Sequence, residues 1–141
     1  LLALQLLGNA CVDNPASAEA VVRHVACPLA AVVRACCCAA HTCSHITAVA
    51  MILNTCISAW PDSVPLLCTS PAADIFRHLL RLSTSDGSGA TEFTDALHWT
   101  VLALQAVAKT RFIETLMVQL GQHDEGTPNI AVAPLPAQLT C

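Results

Sequence analysis

The run Cys36-Cys37-Cys38-Ala39-Ala40-His41-Thr42-Cys43-Ser44-His45 is the densest collection of chemistry-bearing residues in the chain, with four cysteines and two histidines in ten positions. Thiolate and imidazole both bind zinc, and Cys38, His41, Cys43 and His45 are the weak candidates for ligands. Structural zinc takes four ligands converging as a tetrahedron, typically from separated pairs. Three consecutive cysteines on a helix project about 100° apart, so at most two of them turn toward one metal. A nucleophile is the second chemistry on offer, as Cys43 beside His41 or His45. Activation needs a lowered thiol pKa and an orienting third group, and no family-specific signature surrounds these residues. The chain also lacks a Gly-rich phosphate loop, a Gly-x-Ser-x-Gly elbow and a His-Glu-x-x-His pair. Asp13, Glu19, Asp62, Asp74 and Asp95 are scattered, so no carboxylate pair is indicated. The reading is a chain without catalytic residues, metal or cofactor, in which this run is an interhelical loop beside core thiols.

Recognition chemistry is better represented. Leu6-Leu7-Gly8-Asn9-Ala10-Cys11 is answered by Met51-Ile52-Leu53-Asn54-Thr55-Cys56, with Asn9 and Asn54 45 positions apart. Helical repeats of about 40 to 47 residues have this period. A single such unit cannot bury its apolar face, so units stack and present a long surface to another macromolecule. Aligning Leu53 with Leu104 and Cys56 with Val107 defines a third copy. It carries Gln105 where asparagine stands in the other two, at a stretched interval of 51 positions. The plainer role for Asn9 and Asn54 is to satisfy backbone groups between neighbouring helices, since buried amides find internal partners.

The composition bounds these readings. The 141 residues accommodate one domain, or about three helical units. The chain is 55% hydrophobic and only 11% charged, against roughly one quarter charged in ordinary soluble domains. Much of the surface is expected to be covered, as in a piece of a longer stack, and the start in mid-pattern at Leu1-Leu2-Ala3-Leu4 fits that expectation. The formal charge is −4, and the six cations Arg23, Arg34, Arg77, Arg81, Lys109 and Arg111 are spread along the chain. A phosphate-tracking surface needs clustered cations, so nucleic acid is not the expected partner. No charged residue lies between Arg34 and Asp62. The most apolar part of that stretch, 46–60, still falls short of the roughly 20 apolar residues of a membrane span. A buried helix is expected there and no membrane partner, and Leu1 to Leu7 lacks the basic n-region of a secretory signal. Nine cysteines are an odd number, and three are adjacent. Most of them read as reduced core thiols rather than a disulfide framework, with Cys11 and Cys56 at equivalent repeat positions.

The elements that must position these residues follow from apolar spacing. A helix over 1–12 with two or more buried sides is stopped by Asp13-Asn14-Pro15. The next starts near Ala16 or Ser17, with Ser17 as N-cap. Pro28 restarts the chain into a helix with Leu29, Val32, Val33 and Cys36 at 3, 4 spacing. A long helix over 46–59 is capped by Ser44 or Thr47. Pro61, Pro65 and Pro71 punctuate the next connection. An amphipathic helix over 72–82 buries Ile75, Phe76, Leu79 and Leu80, with Asp74 and Arg77 on a polar face. The Ser/Gly-rich stretch 83–90 reads as an insertion. A helix over 91–108 follows, with Phe93, Leu97, Val101, Leu104 and Val107 inside, then another over 110–120. Residues 122–141 form a loose Pro/Gly-containing tail. Trp60 and Trp99 are expected to plug the core. Nothing alternates with period two over a useful length, so the expected fold is all-α.

The run Leu4-Gln5-Leu6-Leu7-Gly8-Asn9-Ala10-Cys11-Val12-Asp13-Asn14 resembles the third helix and following turn of an armadillo repeat. Within that superfamily the order of segments over about the first 120 residues is similar to the ataxin-10 family: the Leu-Gln-x-Leu-Gly-Asn helix, the helix pair leading to Val49-Ala50-Met51-Ile52-Leu53, then 76–82, then His98-Trp99 onward to Met117. The resemblance implies an armadillo/HEAT-like superhelix over 1–121 and a non-enzymatic cytoplasmic adaptor that binds proteins. It also implies a groove in which third-helix amides, here Asn9, Asn54 and Gln105, pair with the backbone of an extended partner. A side-chain amide is equipped for that, with one acceptor and two donors. Two alternatives stay open: a structural segment that self-associates or docks on the rest of its own chain, and a zinc-stabilised helical domain.

Overall fold

The computed structural model describes residues 1–36, 43–69, 72–84 and 94–121, the last three of 72–84 through their backbone alone. The described residues are all-helical: α1 (Leu2–Cys11), α2 (Pro15–His24), α3 (Ala26–Cys36), α4 (Cys43–Ala59), a 3₁₀ turn (Pro61–Ser63), α5 (Val64–Leu67), α6 (Ala72–Thr84), α7 (Thr94–Ala108) and α8 (Ile113–Gly121). The expected tail, 122–141, and most of the expected insertion lie outside the described residues.

Local chemistry sets the first boundaries, and it corrects one expectation. Asp13 adopts a φ of 51°, a left-handed conformation that Asp tolerates better than most side chains, and this turns the chain out of α1. Asn14, extended as a residue before proline should be, accepts a hydrogen bond from the Ser17 amide at 3.1 Å. Asn14 is therefore the N-cap of α2, Pro15 fills the first helical position, and Ser17 is the residue being capped. Pro28 falls in the first turn of α3, which starts two residues earlier at Ala26. A proline there costs little because first-turn amides have no helical partner anyway. Helix α4 likewise begins at Cys43, ahead of the expected start. Ser44 and Thr47 thus lie within the helix and do not cap it.

Helix α4 is the hub, with Ile46, Val49, Ala50, Ile52, Leu53, Cys56 and Ile57 buried. It packs against α1, α2, α3 and α7, and its seam with α7 is the most extensive helix pair. Stacking recurs at a three-helix interval: α1 lies on α4, α4 on α7, α2 on α5 and α3 on α6. Among the described residues no single helix is long and apolar enough to cross a membrane. Two helix pairs reach that length together, but they bend by 65° (α2 with α3) and 117° (α4 with the turn and α5), and their apolar faces serve this core.

Two buried faces differ from the expectation, for reasons of packing. On α7 the buried residues are Ala96, Thr100, Ala103 and Val107, while Leu97 and Val101 are 37% and 40% exposed and Leu104 is half-buried. Phe93 lies outside the described residues. The close seam with α4 selects the stripe of small side chains rather than the stripe of large ones. Thr100 fits there because its hydroxyl donates to the Ala96 carbonyl at 2.7 Å, satisfying its polarity within the helix. On α1 only Cys11 is buried, because its main packing neighbours among the described elements are α2 and α4. Leu2 and Leu6 are 68% and 61% exposed on the outer side. Helix α6 follows its pattern, with Ile75, Phe76 and Leu79 buried and Leu80 half-buried. Trp60 and Trp99 are half-buried at the edge of the core, and the Arg23 guanidinium lies over the Trp60 ring at 5.6 Å.

Candidate functional site

A groove follows the seam between α1 and α4. Its first section, of about 350 Å³, is lined by Leu4, Gln5, Gly8, Asn9 and Val12 from α1 and by Ala48, Met51, Ile52 and Thr55 from α4. A second recess shares Gln5, Ala48 and Met51 and adds Leu1, Cys43, Ser44, Thr47 and, from α7, Asp95. The two recesses adjoin at Gln5, Ala48 and Met51, and their linings combine apolar side chains with amides and hydroxyls. Gly8 sets the depth: a Cβ at this position would stand 3.4 Å from the Ile52 side chain. A larger residue would fill the floor. The α1 seam is about 15 Å long, room for about four to five residues of extended chain. Asp95 is the one formally charged residue among those lining the two sections, which favours a neutral or basic segment.

The fold treats the three expected groove residues differently. Asn9 is exposed and lines the groove directly. Asn54 is half-buried and lies about 100° around α4 from Thr55, on the other flank of the exposed stripe. Gln105 is exposed on α7, outside both sections. Gln5 and Thr55 therefore stand beside Asn9 in place of the expected partners. Gly8 was the available signal for them, since a glycine inside a helix costs about 1 kcal/mol against alanine and points to a packing or functional reason.

Behind the groove, Cys11 and Cys56 meet across the same seam and share a thiol hydrogen bond. Both are fully buried. Burial pushes the Cys56 thiol far up, and the neighbouring Cys11 adds to it. Cys11 and Cys68 are also raised, mainly by burial. Of the other described cysteines, Cys27 is exposed and Cys36 and Cys43 are half-buried. A raised thiol is a poor nucleophile, so Cys27 is expected to alkylate rapidly in the native protein, while Cys11, Cys56 and Cys68 react only on unfolding. Mass-spectrometric mapping of iodoacetamide adducts with and without denaturant checks this. The same shifts predict alkaline sensitivity. The unfolded thiols ionise near their usual 9.0 and the folded ones do not, so the stability present below that value is lost as pH rises above it.

Of the four weak metal candidates, Cys38 and His41 lie outside the described residues, while Cys43 and His45 sit in the first turn of α4. Two residues apart on a helix, their side chains project to nearly opposite sides. His45 Nδ1 is buried with no hydrogen-bond partner among the described residues. Among the described residues no three of His, Cys, Asp and Glu converge as a metal site would need. Comparison with protein families, with curated proteins and with solved structures finds no match.

Proposed function

We propose that this chain is an armadillo-type α-solenoid segment, resembling the ataxin-10 family, that acts as a non-enzymatic cytoplasmic scaffold by holding an extended protein segment in the α1–α4 groove. The observation that carries the reading is the groove itself: an apolar floor at Gly8 and Ile52 between the amides of Gln5 and Asn9 and the hydroxyl of Thr55. Those groups offer donors and acceptors to a peptide backbone, and Met51 adapts its shape to different side chains. Stacking at a three-helix interval supports the solenoid, because armadillo units of three helices pack like on like. Asn54 on α4 and Gln105 on α7 extend the recognition surface for a partner that runs beyond the groove.

Selection of a random peptide library on the purified chain tests the reading. Peptides that bind are expected to be neutral or basic and extended. They should lose at least tenfold in affinity for the Asn9→Ala/Thr55→Ala variant at unchanged helicity. Equal affinity for both proteins would remove the groove from the account.

A second reading rests on a different observation. Leu2 and Leu6 on α1, with Met117 and Val118 on α8, are 55–68% exposed. Large apolar residues left open in this way suit self-association or docking to further repeats. Sedimentation velocity over a range of concentrations distinguishes it, since the groove reading requires no oligomer.

A further inference from the structure

The α1–α4 groove has two chemically different ends. At one, Asn9 of α1 stands with Thr55 of α4. At the other, Leu1 of α1 stands with Ser44 and Thr47 of α4, and Asp95 joins them from α7. Asp95 reaches the groove because α7 packs on α4. The seam therefore runs from a carboxylate end to an amide end.

No lysine or arginine of the chain is placed to neutralise that carboxylate. Asp95 is exposed and forms no ion pair among the described residues, the Leu1 amino group included. All six Lys and Arg residues of the chain lie among the described residues, and none of them lines either section of the groove. The residues outside that description include Asp86 and Glu92 but no Lys or Arg. Asp95 also sits in the first turn of α7, where the helix dipole favours an acid. That dipole amounts to about half a charge at the terminus and falls off within a turn, so the carboxylate sets the sign of this end.

We propose that Asp95 selects the partner: the segment held in the groove carries a lysine or arginine whose charged head meets this carboxylate, while its neutral neighbours lie between α1 and α4. The proposal rests on the groove reading and adds a charge and a register to it. Thr47 and Thr55 are eight positions apart on α4, about 12 Å of helix, which about four residues of extended chain span. The basic residue therefore lies about four positions from the one that meets Asn9 and Thr55. A long basic side chain suits this recess because its methylene stem packs on apolar lining while its head reaches the acid. Arginine adds two parallel N–H donors for the carboxylate.

Selection of a random peptide library in parallel on the native chain and on Asp95→Asn tests this. Peptides selected on the native chain are expected to share a Lys or Arg at one fixed position, and those selected on Asp95→Asn to lack that preference. Replacing the shared residue by glutamine is expected to weaken binding at least threefold to the native chain and to leave binding to Asp95→Asn unchanged. The difference shrinks as salt is raised, because exposed charge pairs are screened. Circular dichroism verifies the variant. Should Asp95→Asn lose helicity, Ser44→Lys carries the test: it places a cation beside the acid at an exposed position, leaves the first turn of α7 intact, and is expected to abolish the same preference. A native selection without a fixed basic position, or the same preference in the variants, would overturn the proposal and leave Asp95 as a partner of the α7 dipole. The groove reading survives that result provided Asn9→Ala/Thr55→Ala still weakens the selected peptides. Peptides insensitive to Asn9→Ala/Thr55→Ala, or a selection that yields none, would remove the groove reading and this proposal with it.

Discussion

Replacing Phe76 by alanine is expected to remove about 3–5 kcal/mol of stability. That is a large share of the roughly 5–15 kcal/mol that holds a typical domain folded. Phe76 is the largest fully buried side chain among the described residues. Its helix, α6, packs against α3, α5, α7 and α8, so the space vacated by the ring has packed elements around it and little freedom to collapse. The cost therefore combines lost transfer free energy with a cavity. Urea denaturation monitored by circular dichroism reads it as a lower midpoint at unchanged slope. A loss below about 1 kcal/mol would mean that the ring is not enclosed as described.

The α4–α7 seam gives the second large effect, and it runs against what side-chain size alone suggests. Ala103→Leu is expected to destabilise by about 1–3 kcal/mol, because Ala103 is 0% exposed in the most extensive helix pair of the molecule. Extra methylenes there push α7 off α4. Leu97→Ala, one stripe away and 37% exposed in the native fold, is expected to cost under about 1 kcal/mol. The pair of variants fixes the rotation of α7. A tolerated Ala103→Leu with a costly Leu97→Ala would turn the helix to the face that apolar size favours.

Helix α7 also shows where reading the sequence stops. Apolar residues at 3, 4 spacing identify it as a helix, but two stripes satisfy that spacing. Choosing Leu97 and Val101 ignores that close helix contact rewards small residues such as Ala96 and Ala103. Helix α6 was legible because only one stripe is apolar: Ile75, Phe76 and Leu79 face in, with Asp74, Arg77 and Arg81 around them. Helix α1 was recognised as a helix, yet its exposed Leu2 and Leu6 depend on which neighbours exist, a tertiary fact. The start of α2, expected near Ala16 or Ser17, lies at Pro15, because Pro15 serves equally as a breaker and as a first helical residue, and the Asn14 cap decides between them.

Parts of the candidate site were legible for similar reasons. Asn9 was identified through its repeat partner, and the repeat also equates Cys11 with Cys56, which meet across the α1–α4 seam. Asn54 and Gln105 share the motif position but not the groove. The groove lies between consecutive stacked helices, so one wall of it comes from the opposite flank of α4, at Ala48, Met51, Ile52 and Thr55. The meeting of Arg34 with Arg77, His78 and Arg81 around one recess is not legible in the sequence, because it arises only when α3 packs on α6.

Site-specific photo-crosslinking tests the central claim most directly. A benzoylphenylalanine is placed at Met51, which is 42% exposed and lines both sections of the groove. A second version carries it at Leu6 on the outer face of α1, and each is irradiated with a labelled peptide selected on the native chain. The account predicts a crosslink from position 51 that is absent from position 6 and is competed by unlabelled peptide. A crosslink from position 6 alone, or adducts joining two copies of the chain from either position, would contradict it and place the binding surface at the exposed apolar ends.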